Sequence, residues 1–396
     1  MEYSSDWLLH ILNDHKKKFP DREIHFISDW DAIDHHAQYP YELIRNSLVA
    51  SNTDVLSYSF SDEQVETKEF LLSNLELRPY VSAENLAITI SATASIFLSL
   101  ASLVKRGVKK FLVFTPVYYS VIDTLKDFGA QSLLFNLLDK DDFHFDISHI
   151  KRIISDNKIE AIILTDPIYS AGIEIPLHIF DELIQLCNQL NCWIICDSTL
   201  SGLGWGKNDF FNLSKIISIA KAENFIFIES ISKRLLINGI KNSLILASEN
   251  IAFEIEDYAS QVYGGFCIPQ IQLLRALYDQ TNRPDIVSIF EHNRQTIKDN
   301  YTLVETFLSN TAYTLYPMNS GYFTMIAHKE YKLKDIDSNG LILNFLSKHD
   351  TFALPSSHFS FSEENLFGFR INLLRAPIPF LSALDKCIRE NVELLH

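Results

Sequence analysis

Basic residues are in short supply: 34 lysines and arginines stand against 50 aspartates and glutamates in 396 residues, a net charge of −16. A surface of that sign repels a nucleic-acid backbone rather than gripping it. The acidic residues are dispersed and form no tail, so they read as a solvated surface. No apolar run approaches the roughly 20 residues needed to cross a bilayer. The opening Met1-Glu-Tyr-Ser-Ser-Asp6 lacks the basic-then-apolar pattern of a leader. Cysteine is sparse and odd in number, at five, with no C-x-x-C pair. Cys187, Cys192 and Cys196 fall in or near an apolar helix–strand unit, which reads as free core thiols rather than a disulfide framework or metal site. A reducing, cytoplasmic setting is the expectation. Neither H-E-x-x-H nor G-x-S-x-G occurs, so zinc-protease and serine-hydrolase chemistry has no support. There is no internal repeat, low-complexity segment or flexible linker.

What is present is the balance of an ordinary globular protein, with 47% hydrophobic and 21% charged residues. The length suits one large domain and a smaller one. Between Leu86 and Ala247, strands and helices alternate. Leu86–Ile90, Lys110–Phe114, Gln131–Asn136, Ala161–Leu164, Trp193–Cys196, Phe225–Ile228 and Leu244–Ala247 read as strands, mostly apolar throughout. Helical spacing marks Ala94–Val104, Ser120–Phe128 and Ile179–Leu190 between them. Strands apolar on both faces imply a sheet covered on both sides, hence an α/β fold with a mostly parallel sheet sandwiched by helices. Beyond about residue 280 the pattern changes to a long helix (Ile286–Leu308), strands at Tyr322–Ala327, Thr351–Pro355 and Leu366–Leu374, and a final helix at Phe380–Leu395. The expected organisation is a large domain over residues 50–280 and a smaller α+β domain built from 1–49 and 281–396.

Polar residues gather just past the strand ends: Ser91–Thr93, Thr115–Tyr118, Asp166–Tyr169, Asp197 and Ser230–Lys233. Open α/β sheets bind ligands outside the carboxyl ends of their strands, so these clusters predict one shared site. Lys233 follows an apolar strand and precedes Leu235-Leu-Ile. A lysine near a sheet core has a lowered pKa and a nucleophilic amine, able to form a Schiff base with an aldehyde. Asp197 ends a buried strand, where a carboxylate needs a positive partner such as a protonated pyridine nitrogen; a helix cap or loop aspartate is the plainer alternative. Ser91-Ala-Thr93 suits an anion at a helix N-terminus and equally an ordinary N-cap. Tyr118 stacks on a planar ligand or simply fills a gap.

In order and spacing, these segments resemble the class I/II aminotransferase group of fold-type I pyridoxal-phosphate enzymes. Ser230-Ile-Ser-Lys233, with Gly239 and Lys241 following, resembles the S-x-S-K-x-x-x-x-x-G-x-R cofactor-lysine motif. Cys196-Asp-Ser-Thr-Leu200 resembles D-x-x-Y, Ile90-Ser-Ala-Thr-Ala-Ser95 the G-A-T-x-A phosphate loop, Thr115-Pro-Val-Tyr118 the P-x-Y segment, and Phe367-Gly-Phe-Arg370-Ile-Asn the C-terminal F-R-I segment. The resemblance runs from Val55 to Leu374. It implies pyridoxal 5′-phosphate as cofactor, carried on Lys233, with Asp197 on the pyridine nitrogen and Tyr118 stacked on the ring. It implies that Ala92, Thr93, Ser230 and Lys241 hold the phosphate, and that Arg370 clamps the substrate carboxylate. Ser57-Tyr58 resembles the tyrosine that reaches the neighbouring subunit's phosphate, which implies a homodimer.

Several positions depart from the family pattern. N-P-x-N-P-T-G becomes Asp166-Pro-Ile-Tyr-Ser-Ala-Gly172, and the D-x-x-Y tyrosine becomes Leu200. Both usual partners of the ring hydroxyl oxygen are thus replaced, and the Tyr169 hydroxyl is the candidate substitute. Lys241 stands where the family has arginine, keeping charge but losing the bidentate fork. The early substrate-side glycine gives way to Ser28-Asp-Trp-Asp31 and His35-His36, which line a specialised pocket or serve packing and surface. Tyr263-Gly-Gly-Phe266 lies where the neighbouring subunit contributes near the phosphate, without the common hydroxyl residue. Gly202-Leu-Gly-Trp-Gly206 lacks Walker spacing and reads as a turn. The implied activity is transamination at Cα of an amino acid, with Lys233 as general base. Elimination, cyclisation or oxidation in a specialised pathway, and a catalytically silent binding protein on the same fold, are the alternatives.

Overall fold

A computed structural model describes residues 5–31, 38–49, 58–60, 64–139, 142–143, 145–205, 209–362 and 364–389. Its centre is a seven-stranded sheet. In spatial order the strands are Leu86–Thr89, Ser243–Ala247, Phe225–Glu229, Trp193–Asp197, Ala161–Thr165, Lys110–Thr115 and Gln131–Asn136. Only Ser243–Ala247 runs antiparallel to its neighbours. The α/β architecture with a mostly parallel sheet is therefore as expected.

Alternation along each strand divides the interior in two. Leu112, Ile162, Leu164, Ile194, Cys196 and Phe227 face one core, while Ala161, Ile163, Ile195, Ile226 and Ile228 face the other. Successive strand residues point to opposite faces, so a strand buried in both directions runs apolar along its length. Helices Ala92–Lys105 and Glu249–Tyr263 pack together on one face; Leu177–Leu190 and Leu213–Ile219 cover the other. Cys187, Cys192 and Cys196 are buried and free, as read from the sequence.

The later part of the chain forms a four-stranded antiparallel sheet in the order Tyr313–Leu315, Phe323–Lys332, Leu366–Asn372, Leu354–Pro355. The N-terminal His25–Phe26 pairs with Thr351–Phe352, so Ser28, Asp29, Trp30 and Asp31 emerge beside Leu366–Asn372. Gly172 joins the two sheets: its carbonyl accepts from Asn319 (2.9 Å) and Ser320 (3.0 Å). A side chain at Gly172, at φ +69°, would strike the Phe323 carbonyl. Among the described residues, no helix is long and apolar enough to cross a membrane.

Candidate active site

The parallel strands all end on the same side of the sheet, and Ser243–Ala247, running the other way, begins there. A cavity of about 420 Å³ opens at that edge, within the roughly 300–1,000 Å³ usual for small-molecule sites. Each loop delivers residues to it. Ala92 and Thr93 follow Leu86–Thr89, Tyr118 and Tyr119 follow Lys110–Thr115, and Pro167 and Tyr169 follow Ala161–Thr165. Asp197 ends Trp193–Asp197, with Thr199 and Leu200 just beyond it, and Lys233, Asn238, Gly239 and Lys241 lie between Phe225–Glu229 and Ser243–Ala247.

Lys233 lines the cavity. Burial draws its amine down to about 8, Lys241 presses in the same direction, and Asp31 partly opposes them. Its loop is pinned by backbone contacts. The Ser230 hydroxyl donates to the Asn242 carbonyl (2.8 Å) and the Ser232 hydroxyl to the Ile240 carbonyl (3.0 Å). Ser230 is buried and is not among the lining residues, so its visible work is to brace the lysine loop.

Asp197 lines the same cavity. One carboxylate oxygen accepts from the Thr199 backbone N–H (3.0 Å) and hydroxyl (2.5 Å). The carboxylate opens into the cavity while protein encloses it elsewhere. Burial pushes its pKa up, and the Thr199 bonds oppose the shift. No helix starts at Asp197, so the helix-cap alternative falls away. Among the described residues no cation forms an ion pair with it.

Ser91 does cap the helix Ala92–Lys105, accepting from the Ala94 N–H (3.1 Å). The cap leaves Ala92 and Thr93 at the cavity wall, where the helix N-terminus favours an anion. Tyr118 lies beside Tyr169, with ring centroids 5.8 Å apart. Burial raises the Tyr118 phenol, so it is neutral at ordinary pH.

Arg370 is fully buried and not among the lining residues. Lining residues Trp30, Phe323 and Tyr169 stand against it, with ring centroids 4.7, 4.2 and 6.0 Å from the guanidinium carbon; Phe359 lies at 4.6 Å. Its terminal nitrogens donate to the Ser28 carbonyl (2.6 Å) and the Tyr169 hydroxyl (3.3 Å). Nε has no partner. The cation therefore sits one ring's thickness behind the wall, without a carboxylate among the described residues.

Of the residues singled out in the sequence, the cavity brings together Ala92, Thr93, Tyr118, Tyr169, Asp197, Lys233, Lys241 and Trp30. Tyr58 is 83% exposed and outside it. Ser57, His35 and His36 lie outside the described residues. Tyr263 does not line the cavity. Asp31, named with Trp30 in the sequence, lines it as well; Ile96, Tyr119, Thr165, Thr199, Asn238 and Phe323 line it without a role assigned from the sequence. Thr199 had a signal, since a threonine two places after an aspartate commonly closes an Asx turn; Asn238 sits in the variable stretch between Lys233 and Lys241. The buried pair Lys215–Asp166 also went unread. The Lys215 ammonium donates to Asp166 and to the Ile175 carbonyl, both at 2.5 Å. It ties down the loop that carries Tyr169.

A chain with this architecture has many structural counterparts. The aspartate aminotransferase of Thermus thermophilus, as a double mutant, superposes with a TM-score of 0.80 at 13% identity, covering 98% of this chain and 97% of that one. In sequence, the aspartate aminotransferase of Sulfolobus acidocaldarius is 22% identical over 52% of this chain, and the tyrosine aminotransferase of Dictyostelium discoideum 26% identical over 40%. The matched stretches span 50% and 37% of those relatives' own lengths. The family description reaches further along the chain than either relative: this protein belongs to the class I and II aminotransferases, whose family model it matches over residues 44–366.

Proposed function

We propose that this chain binds pyridoxal 5′-phosphate on Lys233 and transfers the amino group of an amino acid to a keto acid. The observation that carries the reading is one cavity lined by a lysine amine lowered to about 8 and by a half-buried carboxylate that, among the described residues, has no cationic partner. Partial burial of an unpaired carboxylate is costly, and a protonated ring nitrogen relieves it. The other residues fit the same group. Lys241 and the Ala92–Thr93 helix start supply positive charge and N–H donors for a phosphate ester. Tyr118 supplies an aromatic face. Arg370 donates to the Tyr169 hydroxyl, which leaves the phenol's own proton free for the ring oxygen. Ser230 contributes by fixing Lys233 rather than through the cavity.

When bound, the cofactor supplies a cationic ring that withdraws the electron pair left as the substrate's α-proton departs. The protein does the rest. Asp197 holds the proton on the ring nitrogen. Lys233, neutral in a useful fraction near pH 7–8, takes the proton from Cα through Nζ and returns it one atom away. Arg370 receives the substrate carboxylate through Nε, which has no hydrogen-bond partner among the described residues. The relatives' names support amino-group transfer as the outcome.

The test is direct. Protein loaded with pyridoxal phosphate is expected to absorb in the visible and to convert at least one amino acid in a keto-acid-dependent reaction. Lys233→Ala is expected to lose the visible band and at least about a thousandfold in turnover. Leu200 and Tyr169 at the ring-oxygen side make product analysis without keto acid worthwhile, because ammonia release there would identify elimination instead. Cofactor binding with no amine exchange from any amino acid would reduce the chain to a binding protein.

A further inference from the structure

The charged groups lining the cavity are few, and most have a task under the reading above. Lys233 takes the aldehyde, Asp197 the ring nitrogen and Lys241 the phosphate. The charge left over is Asp31. Its carboxylate is held from one side only: the Asn238 amide donates to Oδ1 at 3.0 Å and, from the same nitrogen, to the Trp30 carbonyl at 3.0 Å. The cation beside it is engaged through one terminal nitrogen, and its buried Nε has no hydrogen-bond partner among the described residues. Arg375 pairs with the Asp29 carboxylate (3.0 Å) and reaches Asp31 only at its backbone carbonyl (3.1 Å). Among the described residues, no donor meets the second oxygen of Asp31 and no basic side chain forms an ion pair with it. Beside it, Trp30 turns one face to Arg370 and also lines the cavity with Tyr119, Tyr169 and Phe323.

An exposed carboxylate at the cavity's edge, with one oxygen unbonded among the described residues and aromatic rings lining the same cavity, is complementary to a cation carried on methylenes. The charge meets the carboxylate, and the stem lies along the rings. It is the wrong surface for a second carboxylate, which would meet like charge. We infer that Asp31, positioned by Asn238, selects amino acids with a cationic side chain, an amine or a guanidine, over neutral and dicarboxylic ones. The inference rests on the aminotransferase reading, because that reading assigns the other three charges. It also separates this chain from the two aspartate aminotransferases it is similar to, whose named substrate is a dicarboxylic amino acid.

Binding and turnover test the two readings separately. Calorimetric titration of the cofactor-loaded protein with L-lysine, L-arginine, L-norleucine and L-glutamate reads the inference. Norleucine matches the lysine stem without its charge. Dissociation constants for lysine or arginine are expected to be lower than for norleucine by about tenfold or more, as for a charge-assisted hydrogen bond, with glutamate weakest. In Asp31→Asn, which keeps the shape and the Asn238 contact, the ratio of norleucine to lysine constants is expected to fall towards one. The wild-type ratios stand alone if that variant does not fold. Equal or inverted ratios in the wild type, or a preference that survives in Asp31→Asn, overturn the inference. Keto-acid-dependent turnover with the same panel reads the parent proposal. Transfer from norleucine or glutamate alone keeps the aminotransferase and rejects the basic substrate. Tight, Asp31-dependent lysine binding without transfer from any amino acid does the reverse.

Discussion

Lys233 bears on stability as well as chemistry. Unfolded, its ammonium titrates near 10.5; in the fold, burial brings that to about 8. Below pH 8 both states are protonated, and the folded protein carries the full cost of an enclosed charge, about 3 kcal/mol at roughly 1.4 kcal/mol per pH unit. Between pH 8 and 10.5 the folded lysine has lost its proton while the unfolded one keeps it. The unfolded state then binds more protons, so stability rises with pH. Above 10.5 both are neutral and the cost is gone. Lys233→Met has no such charge to enclose. Compared free of pyridoxal phosphate, it is expected to be more stable than the parent by about 3 kcal/mol at pH 7. The margin should shrink across the window from pH 8 to 10.5. Urea unfolding of both proteins at about pH 7 and pH 10 measures it, and a margin that ignores pH would falsify the assignment of a depressed amine.

At the scale of elements, the sheet was legible because its physics is local. A strand buried on both faces runs apolar along its length, and Ala161–Leu164, Phe225–Ile228 and Leu244–Ala247 are apolar and buried at every residue. Lys233 and Asp197 were readable for the same reason, since each is conspicuous where an apolar run stops. Arg370 was legible as a residue but not in its setting. The rings around it come from residues 30, 169, 323 and 359, which no short-range pattern links. Thr351–Pro355, read as one strand, is two short ones in different sheets, because Thr351–Phe352 pairs with His25–Phe26 while Leu354–Pro355 joins Leu366–Asn372. The glycine-rich turn is the sharper case. Gly202 has φ +90°, and a Cβ there would lie 2.5 Å from the Phe210 carbonyl and 2.8 Å from Arg234 Nη1. Arg234 comes directly after Lys233, pairs with Glu229 and donates to that same carbonyl. Gly202→Ala therefore combines backbone strain with overpacking, and is expected to cost about 2–4 kcal/mol. Gly204→Ala is the comparison: its Cβ would come closest to the end of the Glu174 side chain, at 3.2 Å, and meet the Asn319 carbonyl and Ser320 hydroxyl at an ordinary 3.7 Å. It is expected to cost less than about 1 kcal/mol. Equal denaturation midpoints for the two variants would remove the turn from the account.

The whole molecule raises the question of what Tyr58 faces. The ring is 83% exposed and stacks on Phe60 with centroids 5.5 Å apart. Its chain segment is not loose: the Ser59 carbonyl accepts from Phe266 N–H at 2.7 Å, and Gly265 has no room for a side chain against that carbonyl. We propose that this ring meets a second copy of the chain, as the resemblance to the family implies. Closed twofold assemblies are the commonest form of such a pairing. If Tyr58 acts in trans, two defective proteins can repair each other. Lys233→Ala keeps Tyr58 but has no cofactor amine; Tyr58→Ala keeps the amine but lacks the contact from its neighbour. Mixed at equal amounts and allowed to exchange subunits, half the dimers are mixed, and each holds one complete site. At cofactor concentrations too low to load Tyr58→Ala, recovered activity is expected to reach about a quarter of the parent's. A tyrosine acting within its own chain gives no complete site in any combination, so activity would stay at the sum of the separate variants. A monomer in sedimentation with full activity would defeat the arrangement before the mixing is tried.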